Sequence, residues 1–266
     1  MDAVPDGCAA EMEAIMNLPI AAQVYSVRDE AAADFEKTMQ QLAKMGYDGV
    51  ELAGLYGKSA KEIRDCLDRV GLQAISAHVP ITDFEQDLSG TVQIYQEIGC
   101  KYVAIPYLDP ERWYGGSRHQ ETLETLVKIS QKCREAGIEL LYHNHHFEFE
   151  KTDEGRFQLD AFYETISAED LKTELDLCWV KVGGADPAAY LKKYAGRCPV
   201  VHVKDFVYRD GEVVLVAVGD GDVQAEAVVP AAVESGAKWL VVEQDSHTFG
   251  TPMENMEKSL KCVKAQ

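Results

Sequence analysis

Residues 137–149 read GIELLYHNHHFEF, an apolar run that ends in a cluster of imidazoles and a carboxylate. The run is predicted to form a short β-strand, because it is mostly apolar and begins at Gly137. His143, His145 and Glu148 follow at its C-terminal end. Imidazole and carboxylate groups are common ligands of zinc, manganese, iron and cobalt, and imidazole is the usual general base near neutral pH. The stretch therefore predicts a functional site at the end of a strand.

Five further apolar runs end in polar side chains of the same kinds. One such residue at a strand end is ordinarily a helix cap or a solvated end, but six runs ending this way are hard to explain as independent accidents. The C-terminal ends of parallel strands meet at one edge of a sheet, so these side chains are expected to form one site. The runs end in Glu51, His78, Asp176, the group His202, Lys204 and Asp205, and Glu243.

Eight strand-like segments alternate with amphipathic, helix-like segments. This alternation is typical of a parallel α/β sheet, and eight strands close a (β/α)8 barrel, so we predict a single TIM barrel over residues 18–266. Residues 1–17 are predicted to be an N-terminal leader. The predicted strands are Ile20–Tyr25, Gly49–Leu52, Leu72–His78, Tyr102–Pro106, Glu139–His143, Leu171–Asp176, Val200–Lys204 and Leu240–Glu243.

Glycines and long connections support the alternation. Residues 108–117 and 207–222 follow predicted strands, and we expect both to be loops over the barrel mouth. Glycines that end helices in the left-handed conformation are expected at Gly46, Gly71, Gly99, Gly137 and Gly236. The main predicted helices are Asp34–Lys44, Ala60–Val70, Thr91–Ile98, Gln120–Ala136, Asp186–Tyr194, Ala225–Ser235 and Asn255–Val263.

A doubly wound nucleotide-binding sheet is the main alternative fold. That fold requires a glycine-rich turn after its first strand, where backbone N–H groups hold a phosphate. The corresponding turn here, QVYSVR at residues 23–28, contains no glycine. A later Gly-Asp-Gly-Asp run, residues 219–222, is too acidic for a phosphate. The barrel is therefore the preferred fold.

Composition excludes several classes of function. The chain has 45 acidic and 26 basic residues and a formal charge of −19, which disfavours nucleic acids and anionic membranes as partners. Its seven cysteines are odd in number and have no CxxC spacing, which is typical of a reducing compartment. Neither a membrane span of roughly 20 apolar residues nor a secretory signal is evident. We expect a cytoplasmic protein, and a homo-oligomer is compatible with the sequence.

Taken in order, the motifs resemble the sugar phosphate isomerase/epimerase family of the xylose isomerase-like TIM barrel superfamily. That superfamily also contains inosose dehydratases, ketose 3-epimerases and endonuclease IV. The resemblance covers nearly the whole chain from Ile20, and it is more specific for the superfamily than for any reaction. The motifs are QVYSVR (23–28), GYDGVE (46–51), YHNH (142–145), Asp176 with Trp179, HVKD (202–205) and Val242-Glu243.

The resemblance implies one divalent metal ion held by residues of the fifth to eighth strands. By position, the ligands would be His143, Asp176, His202 and Glu243. Many relatives have a glutamate where this chain has His143, and ketose 3-epimerases use that glutamate and the strand-eight glutamate as two opposed bases. The histidine therefore speaks against a two-glutamate mechanism. It also removes one negative charge, which favours zinc or cobalt over magnesium, with manganese a further candidate.

A site of this kind supports proton abstraction next to a carbonyl. A metal ion bound by the carbonyl and an adjacent hydroxyl stabilises the enediolate that forms, and a base must lie within reach of the proton. His145, Glu148 and Glu243 are the candidate bases. We predict a metal-dependent isomerase or epimerase of a sugar or keto-sugar. The alternative is a lyase or dehydratase that eliminates water or an aglycone from a keto-sugar, keto-glycoside or keto-inositol.

The substrate is expected to be a small carbohydrate, and the sequence leaves its identity and phosphorylation open. Lys204 lies two residues after His202, so both side chains would share one face of a strand. We expect Lys204 to bind a substrate oxygen or to pair with Asp205. A DNA phosphodiesterase is disfavoured by the negative charge, and a barrel that only binds a sugar is disfavoured by the crowded acid and base groups. The predicted substrate contacts are Glu51, His78, Trp113 and Lys204.

Overall fold

The computed structural model of the chain describes residues 18–266, and these residues form a closed barrel of eight parallel strands with helices between them. The predicted (β/α)8 barrel is therefore confirmed, whereas the predicted leader, residues 1–17, lies outside the described residues. The strands are β1 (Ile20–Gln23), β2 (Gly49–Ala53), β3 (Gln73–His78), β4 (Tyr102–Ile105), β5 (Glu139–His143), β6 (Lys172–Asp176), β7 (Val200–Val203), β8 (Asp205–Arg209), β9 (Glu212–Val216) and β10 (Trp239–Val242). Around the barrel each strand pairs with its neighbour in sequence, except that β7 pairs with β10, and β10 closes the barrel on β1.

The helices surround the barrel, and each predicted helix is present within a few residues of its expected bounds. Shorter helices that were not predicted follow β1, β3, β5 and β6. The helices are α1 (Arg28–Ala33), α2 (Phe35–Met45), α3 (Ala60–Val70), α4 (Ile81–Gln86), α5 (Leu88–Ile98), α6 (His119–Glu135), α7 (Gln158–Glu164), α8 (Leu177–Val182), α9 (Pro187–Lys193), α10 (Ala225–Glu234) and α11 (Pro252–Lys264). No helix within residues 18–266 is long and apolar enough to cross a membrane.

Local sequence explains where individual helices begin and end. In α3, the Ser59 hydroxyl accepts the Glu62 N–H and the Glu62 carboxylate accepts the Ser59 N–H, which is a complete capping box. At the other end of α3, Gly71 has φ +78°, a conformation that glycine adopts without steric cost. The other glycines expected to end helices also have positive φ, so those predictions are confirmed.

The barrel interior consists of an apolar layer with a polar layer above it. In β5, His143 lies two residues after Leu141, and in β7, His202 lies two residues after Val200. Because strand side chains alternate, residues two apart point to the same side, so each strand contributes first an apolar and then a polar group to the interior. The apolar layer is formed by Ala21, Ile75, Ala104, Leu141, Val200 and Val241.

The segment after β7 corrects one prediction. Residues 207–222 were expected to be a loop, but β8 and β9 pair as an antiparallel hairpin. Asp210 and Gly211 connect the two strands with φ +52° and +86°, the backbone of a tight hairpin turn. The Asp-Gly pair between β-branched and aromatic residues would have predicted this hairpin. Asp205 secures it, because its carboxylate accepts the N–H groups of Phe206, Gly219, Gly221 and Val223.

The start of the barrel differs slightly from the prediction as well. The first strand was expected to run to Tyr25, but β1 ends at Gln23, and residues 24–27 form one turn of 3₁₀ helix. Gln23 causes the change of direction, because its side-chain oxygen accepts the Tyr25 N–H at 3.0 Å. As a result Tyr25 points to the barrel mouth and is not packed in the barrel.

Candidate active site

Four of the predicted ligand residues converge in the polar layer. His143, Asp176, His202 and Glu243, here called the ligand quartet, are buried, and each offers one ligand atom within 4.8 Å of the others. The residues come from β5, β6 and β7 and from the position after β10. Their strands are neighbours in the barrel, so parallel pairing in register brings together residues that are far apart in sequence.

The donor set of the ligand quartet fits a divalent transition metal ion. His202 Nδ1 lies 2.9 Å from Glu243 Oε2, and His143 Nε2 lies 3.9 Å from Asp176 Oδ2. Asp176 Oδ2 and Glu243 Oε2 are buried, and the Lys204 ammonium lies 3.0 Å from each. Buried carboxylates cost free energy unless cations compensate them, and a bound metal ion would add to the compensation that Lys204 gives. Two imidazoles and two carboxylates are ligands that zinc, manganese, iron and cobalt all accept.

Two further buried glutamates, Glu51 and Glu174, contact the imidazoles on their other side. Glu51 Oε2 lies 2.7 Å from His202 Nε2, and Glu174 Oε2 lies 3.2 Å from His143 Nδ1. A neutral imidazole carries one proton, so a carboxylate beside one ring nitrogen leaves the lone pair on the other. With a metal ion bound, the glutamate pair would favour the tautomers that leave His202 Nδ1 and His143 Nε2 to bind the ion, as carboxylates do for metal-bound histidines in general.

The third imidazole, His78, also contacts this glutamate pair. His78 Nε2 lies 2.7 Å from Glu174 Oε2 and 3.3 Å from Glu51 Oε2. Burial opposes its charge, but the two carboxylates raise the pKa of His78 to about 9. Burial also opposes the charge of Glu51, yet His78 and His202 lower the pKa of Glu51 to about 2. Burial and the neighbouring Glu51 raise the pKa of Glu174 to about 7, so Glu174 is the group of this pair that takes up a proton first.

Lys204 lies inside the site, and its ammonium contacts three carboxylates. Its Nζ atom is 3.0 Å from Asp176 Oδ2, 3.0 Å from Glu243 Oε2 and 2.8 Å from Asp245 Oδ2. Burial opposes the charge, but these carboxylates hold the pKa of Lys204 well above its usual value. Pairing with Asp205, one of the two predicted roles, is wrong, because the Asp205 carboxylate accepts backbone N–H groups of its own loop. Lys204 therefore balances the negative charge around the ligand quartet.

His145 and Glu148 have different positions, although both were candidate bases. His145 lines a cavity, its Nδ1 atom is buried without a hydrogen-bond partner, and its ring stacks on Phe147 at 5.2 Å. Each oxygen of Glu148 accepts a hydrogen bond, one from the Tyr142 hydroxyl at 2.7 Å and the other from the backbone N–H of His145 at 2.8 Å. Glu148 is not among the residues that line the cavity. The structure thus places Glu148 behind His145, where it holds the backbone of the loop.

Of the four predicted substrate contacts, His78 lines the cavity, whereas Lys204, Trp113 and Glu51 do not. Trp113 is half-buried, and its ring stacks on that of Phe147 with 5.1 Å between the ring centres. Glu51 is fully buried beneath the imidazoles. Both therefore support residues that face the cavity.

Glu174 and Asp245 take part in the site and were not predicted. Glu174 lies two residues before Asp176, and Asp245 lies two residues after Glu243. The alternation of side chains along β6 puts Glu174 and Asp176 on the same face, so the period of two would have identified Glu174, whereas Asp245 lies on the loop after β10.

A cavity of about 620 Å³ opens beside the ligand quartet at the C-terminal end of the barrel. One side is polar and includes His78, His143, His145, Glu243 and Asp245. The cavity lies where TIM barrels carry their active sites. The strand-end residues are therefore gathered next to a space that holds a small molecule.

Residues 39–266 match the family model of the xylose isomerase-like TIM barrel. The chain belongs to this family. It is 21% identical to an inosose dehydratase of Clostridium beijerinckii, a similarity that covers 86% of this chain and 89% of that protein. It is 23% identical to an inosose dehydratase of Geobacillus kaustophilus, where the match covers 64% of this chain and 61% of that protein's length.

Two solved structures share nearly the whole fold. A sugar phosphate isomerase/epimerase from Parabacteroides distasonis superimposes with a TM-score of 0.79 at 21% identity, covering 94% of this chain and 97% of that one. The IOLI protein, solved with a bound zinc atom, superimposes with a TM-score of 0.75 at 15% identity, covering 93% and 97%. The predicted resemblance is confirmed. The relatives are carbohydrate enzymes of more than one reaction type, and at these identities the structural likeness shows the fold alone.

Proposed function

We propose that this protein is a metal-dependent lyase that removes a proton next to the carbonyl of a keto-sugar or keto-cyclitol and eliminates water or an alcohol from the neighbouring carbon. The observation that carries the proposal is the buried ligand quartet beside a cavity that the His145 side chain lines. A metal site and a free base at one cavity are the two parts that such a reaction requires.

His143, Asp176, His202 and Glu243 would hold the metal ion. When bound, the ion would act as a Lewis acid on the substrate carbonyl and so acidify the adjacent C–H bond. Manganese, zinc and cobalt are the candidates, and the zinc atom of the IOLI protein supports this choice. Lys204 keeps a positive charge next to Asp176 and Glu243, which lowers the cost of burying both carboxylates.

His145 is the proposed base. Burial, and then the charge of Lys204, lower the pKa of His145 to about 3, so its imidazole is neutral at neutral pH. The same shift weakens it as a base, so the proposed role rests on its position in the cavity wall. The His145 ring is positioned by stacking on Phe147 and by the hydrogen bond from the His145 backbone N–H to Glu148. Glu148 is therefore proposed as a positioning residue. Glu243 belongs to the ligand quartet, so it is better placed to bind the metal ion than to act as the base.

Elimination also requires an acid that donates a proton to the leaving group. Asp245 lines the cavity, and burial raises its pKa to about 6 even though Lys204 opposes the shift. Asp245 is therefore ionised near pH 7 but takes up a proton more readily than an ordinary aspartate, which supports this role.

Elimination is favoured over epimerisation by the residue at position 143. Epimerisation needs two bases on opposite faces of one carbon, and His143 is engaged by Glu174 and lies beside Asp176. The similarity to inosose dehydratases supports elimination as well. An isomerase or epimerase is the second candidate, supported by the similarity to a sugar phosphate isomerase/epimerase, because the same intermediate gives an isomer when it is reprotonated.

The first experiment measures metal content by mass spectrometry in the wild type and in the Asp176→Ala and His202→Ala variants. We expect about one divalent ion per chain in the wild type and its loss in both variants. The exposed residue Asp220 provides a control, Asp220→Ala, which should retain the ion. A wild type that binds no manganese, zinc or cobalt would contradict the proposal.

The second experiment incubates the metal-loaded enzyme with keto-sugars and keto-inositols and determines the product mass. Loss of one water or one alcohol supports elimination, and an unchanged mass with a new isomer supports the second candidate. His145→Gln should retain the metal ion and lose about 10²- to 10⁴-fold in turnover. Retention of full activity in that variant would exclude His145 as the base.

A further inference from the structure

The outer half of the active-site cavity differs in chemistry from the half that contains the ligand quartet. Its wall includes Tyr25, Tyr107, Pro80 and Pro106. Tyr25 and Tyr107 are 41% and 47% exposed, which is unusual for large aromatic residues. Tyr25 lies on the 3₁₀ turn after β1 and Tyr107 on the loop after β4, at the end of the barrel where substrates enter.

The aromatic wall is held in place by its neighbours. The Arg28 guanidinium lies 4.2 Å from the centre of the Tyr25 ring and donates to the carbonyl oxygens of Tyr25 and Asp245. The Tyr107 ring meets the edge of Phe147 at 5.8 Å, and Phe147 stacks on His145. The outer wall is thus connected to the proposed base, and both tyrosines present fixed surfaces to a ligand.

No lysine or arginine within residues 18–266 lines the cavity, whereas Asp83, Glu243 and Asp245 do. Lys204 is engaged with three carboxylates, and Arg28 is engaged with two carbonyl groups. Phosphate groups are normally bound by arginine, lysine or a helix N-terminus with free N–H groups. The cavity therefore lacks a cationic side chain for a sugar phosphate, and its carboxylates repel one.

The size of the cavity leaves space beyond a single sugar ring. Its volume of about 620 Å³ lies within the range of roughly 300–1,000 Å³ of pockets that bury drug-sized ligands, which are larger than one hexose. A sugar ring at the ligand quartet would leave the aromatic half empty. Aromatic side chains bind flat apolar rings by offset or edge contacts.

We infer that the substrate is an uncharged glycoside, with its sugar ring at the ligand quartet and a flat, aromatic aglycone between Tyr25 and Tyr107. This inference rests on the proposed function for the reaction at the sugar ring. It adds the chemical class of the aglycone, which the aromatic half of the cavity would bind. It predicts that an aromatic substituent strengthens binding and that a phosphate does not.

The test compares four ligands by isothermal titration calorimetry and saturation-transfer NMR: phenyl β-D-glucopyranoside, methyl β-D-glucopyranoside, D-glucose and D-glucose 6-phosphate. The phenyl glucoside should bind at least about fivefold more tightly than the methyl glucoside, because each aromatic contact contributes a factor of roughly two to ten. Glucose 6-phosphate should bind no more tightly than glucose. Tighter binding of the phosphate, equal binding of the two glucosides, or no binding of any ligand would overturn the inference.

Tyrosine variants test which residues cause the preference for the phenyl glucoside. Tyr25→Ala and Tyr107→Ala should each reduce the preference for the phenyl glucoside and leave the affinity for the methyl glucoside unchanged. Tyr208→Ala is the matched control, because Tyr208 is an equally exposed tyrosine, at 56%, that lies on β8 and does not line the cavity. An undiminished phenyl preference in both cavity variants would contradict the assignment.

This binding experiment is independent of the test of the proposed function. It requires neither a bound metal ion nor turnover, and the three tyrosines are outside the proposed catalytic groups. A phenyl preference without metal-dependent elimination would mean that the aromatic half is correct and the reaction is wrong. Elimination without a phenyl preference would mean that the proposed reaction is correct and the assignment of the aromatic half is wrong.

Discussion

A Glu51→Gln substitution is expected to weaken metal binding by about 10- to 100-fold while leaving the barrel folded. Glu51 is fully buried, and its Oε2 atom lies 2.7 Å from His202 Nε2 and 2.7 Å from the Gln23 amide. The carboxylate favours the imidazole proton on Nε2, so Nδ1, which lies 2.9 Å from Glu243 Oε2, is the nitrogen that a metal ion would bind. Glutamine has the same shape as glutamate but no charge, so its side-chain oxygen is a weaker acceptor for the proton on His202 Nε2.

The magnitude follows from the contact that is lost. A hydrogen bond to a charged group contributes about 1.5–3 kcal/mol, and the short distance to His202 is typical of such a bond. A loss of 10- to 100-fold in affinity corresponds to about 1.4–2.7 kcal/mol. Glu174→Gln should have a smaller effect, because Glu174 Oε2 lies farther from its ligand imidazole, at 3.2 Å from His143 Nδ1.

The assay titrates manganese and zinc into metal-free protein in competition with a fluorescent chelator. Glu62→Gln is the matched control, because Glu62 is an exposed residue of the α3 capping box and should leave metal affinity unchanged. Circular dichroism and urea unfolding verify that each variant is folded. Wild-type affinity in a folded Glu51→Gln variant would refute the argument that this carboxylate orients His202.

Tyr142→Phe removes the hydroxyl that donates to buried Glu148 at 2.7 Å, and urea unfolding should show a loss of about 1–3 kcal/mol; an unchanged unfolding midpoint would mean that water replaces the hydroxyl. Asp205→Ala removes the acceptor of backbone N–H groups in the loop after the β8–β9 hairpin, so limited proteolysis should cut that loop faster than in the wild type. Partial burial opposes the ionisation of Asp160, but the Lys193 ammonium lowers its pKa, so its stabilising effect is present above the unfolded-state pKa and lost as pH falls through the lower folded-state pKa. Urea unfolding of Asp160→Asn should therefore show a deficit relative to wild type at pH 7 that shrinks below about pH 4, and a constant deficit would contradict this assignment.

Local patterns explain why most of the fold was predictable. Strand β5 is a short apolar run that follows a glycine, helix α3 has a clear period of 3.6 residues, and Gly71 ends α3 as its position indicates. The hairpin of β8 and β9 was missed because the Asp210-Gly211 turn was interpreted as part of a loop. The turn after β1 was missed because a single side chain, Gln23, redirects the backbone.

The sequence by itself determined the barrel and the strand ends at which ligand-type residues lie. The barrel follows from the alternation of strand-like and helix-like segments, and the strand ends are the points at which apolar runs meet polar residues. Only the tertiary structure decided which of these residues contact one another. His202 meets Glu51 across 151 residues of sequence. Lys204 lies among three carboxylates rather than beside its neighbour Asp205. Glu148 lies behind His145 instead of in the cavity. The physical reason is that closure of the barrel and the burial of charge set these distances, and neither is encoded in any single stretch of the chain.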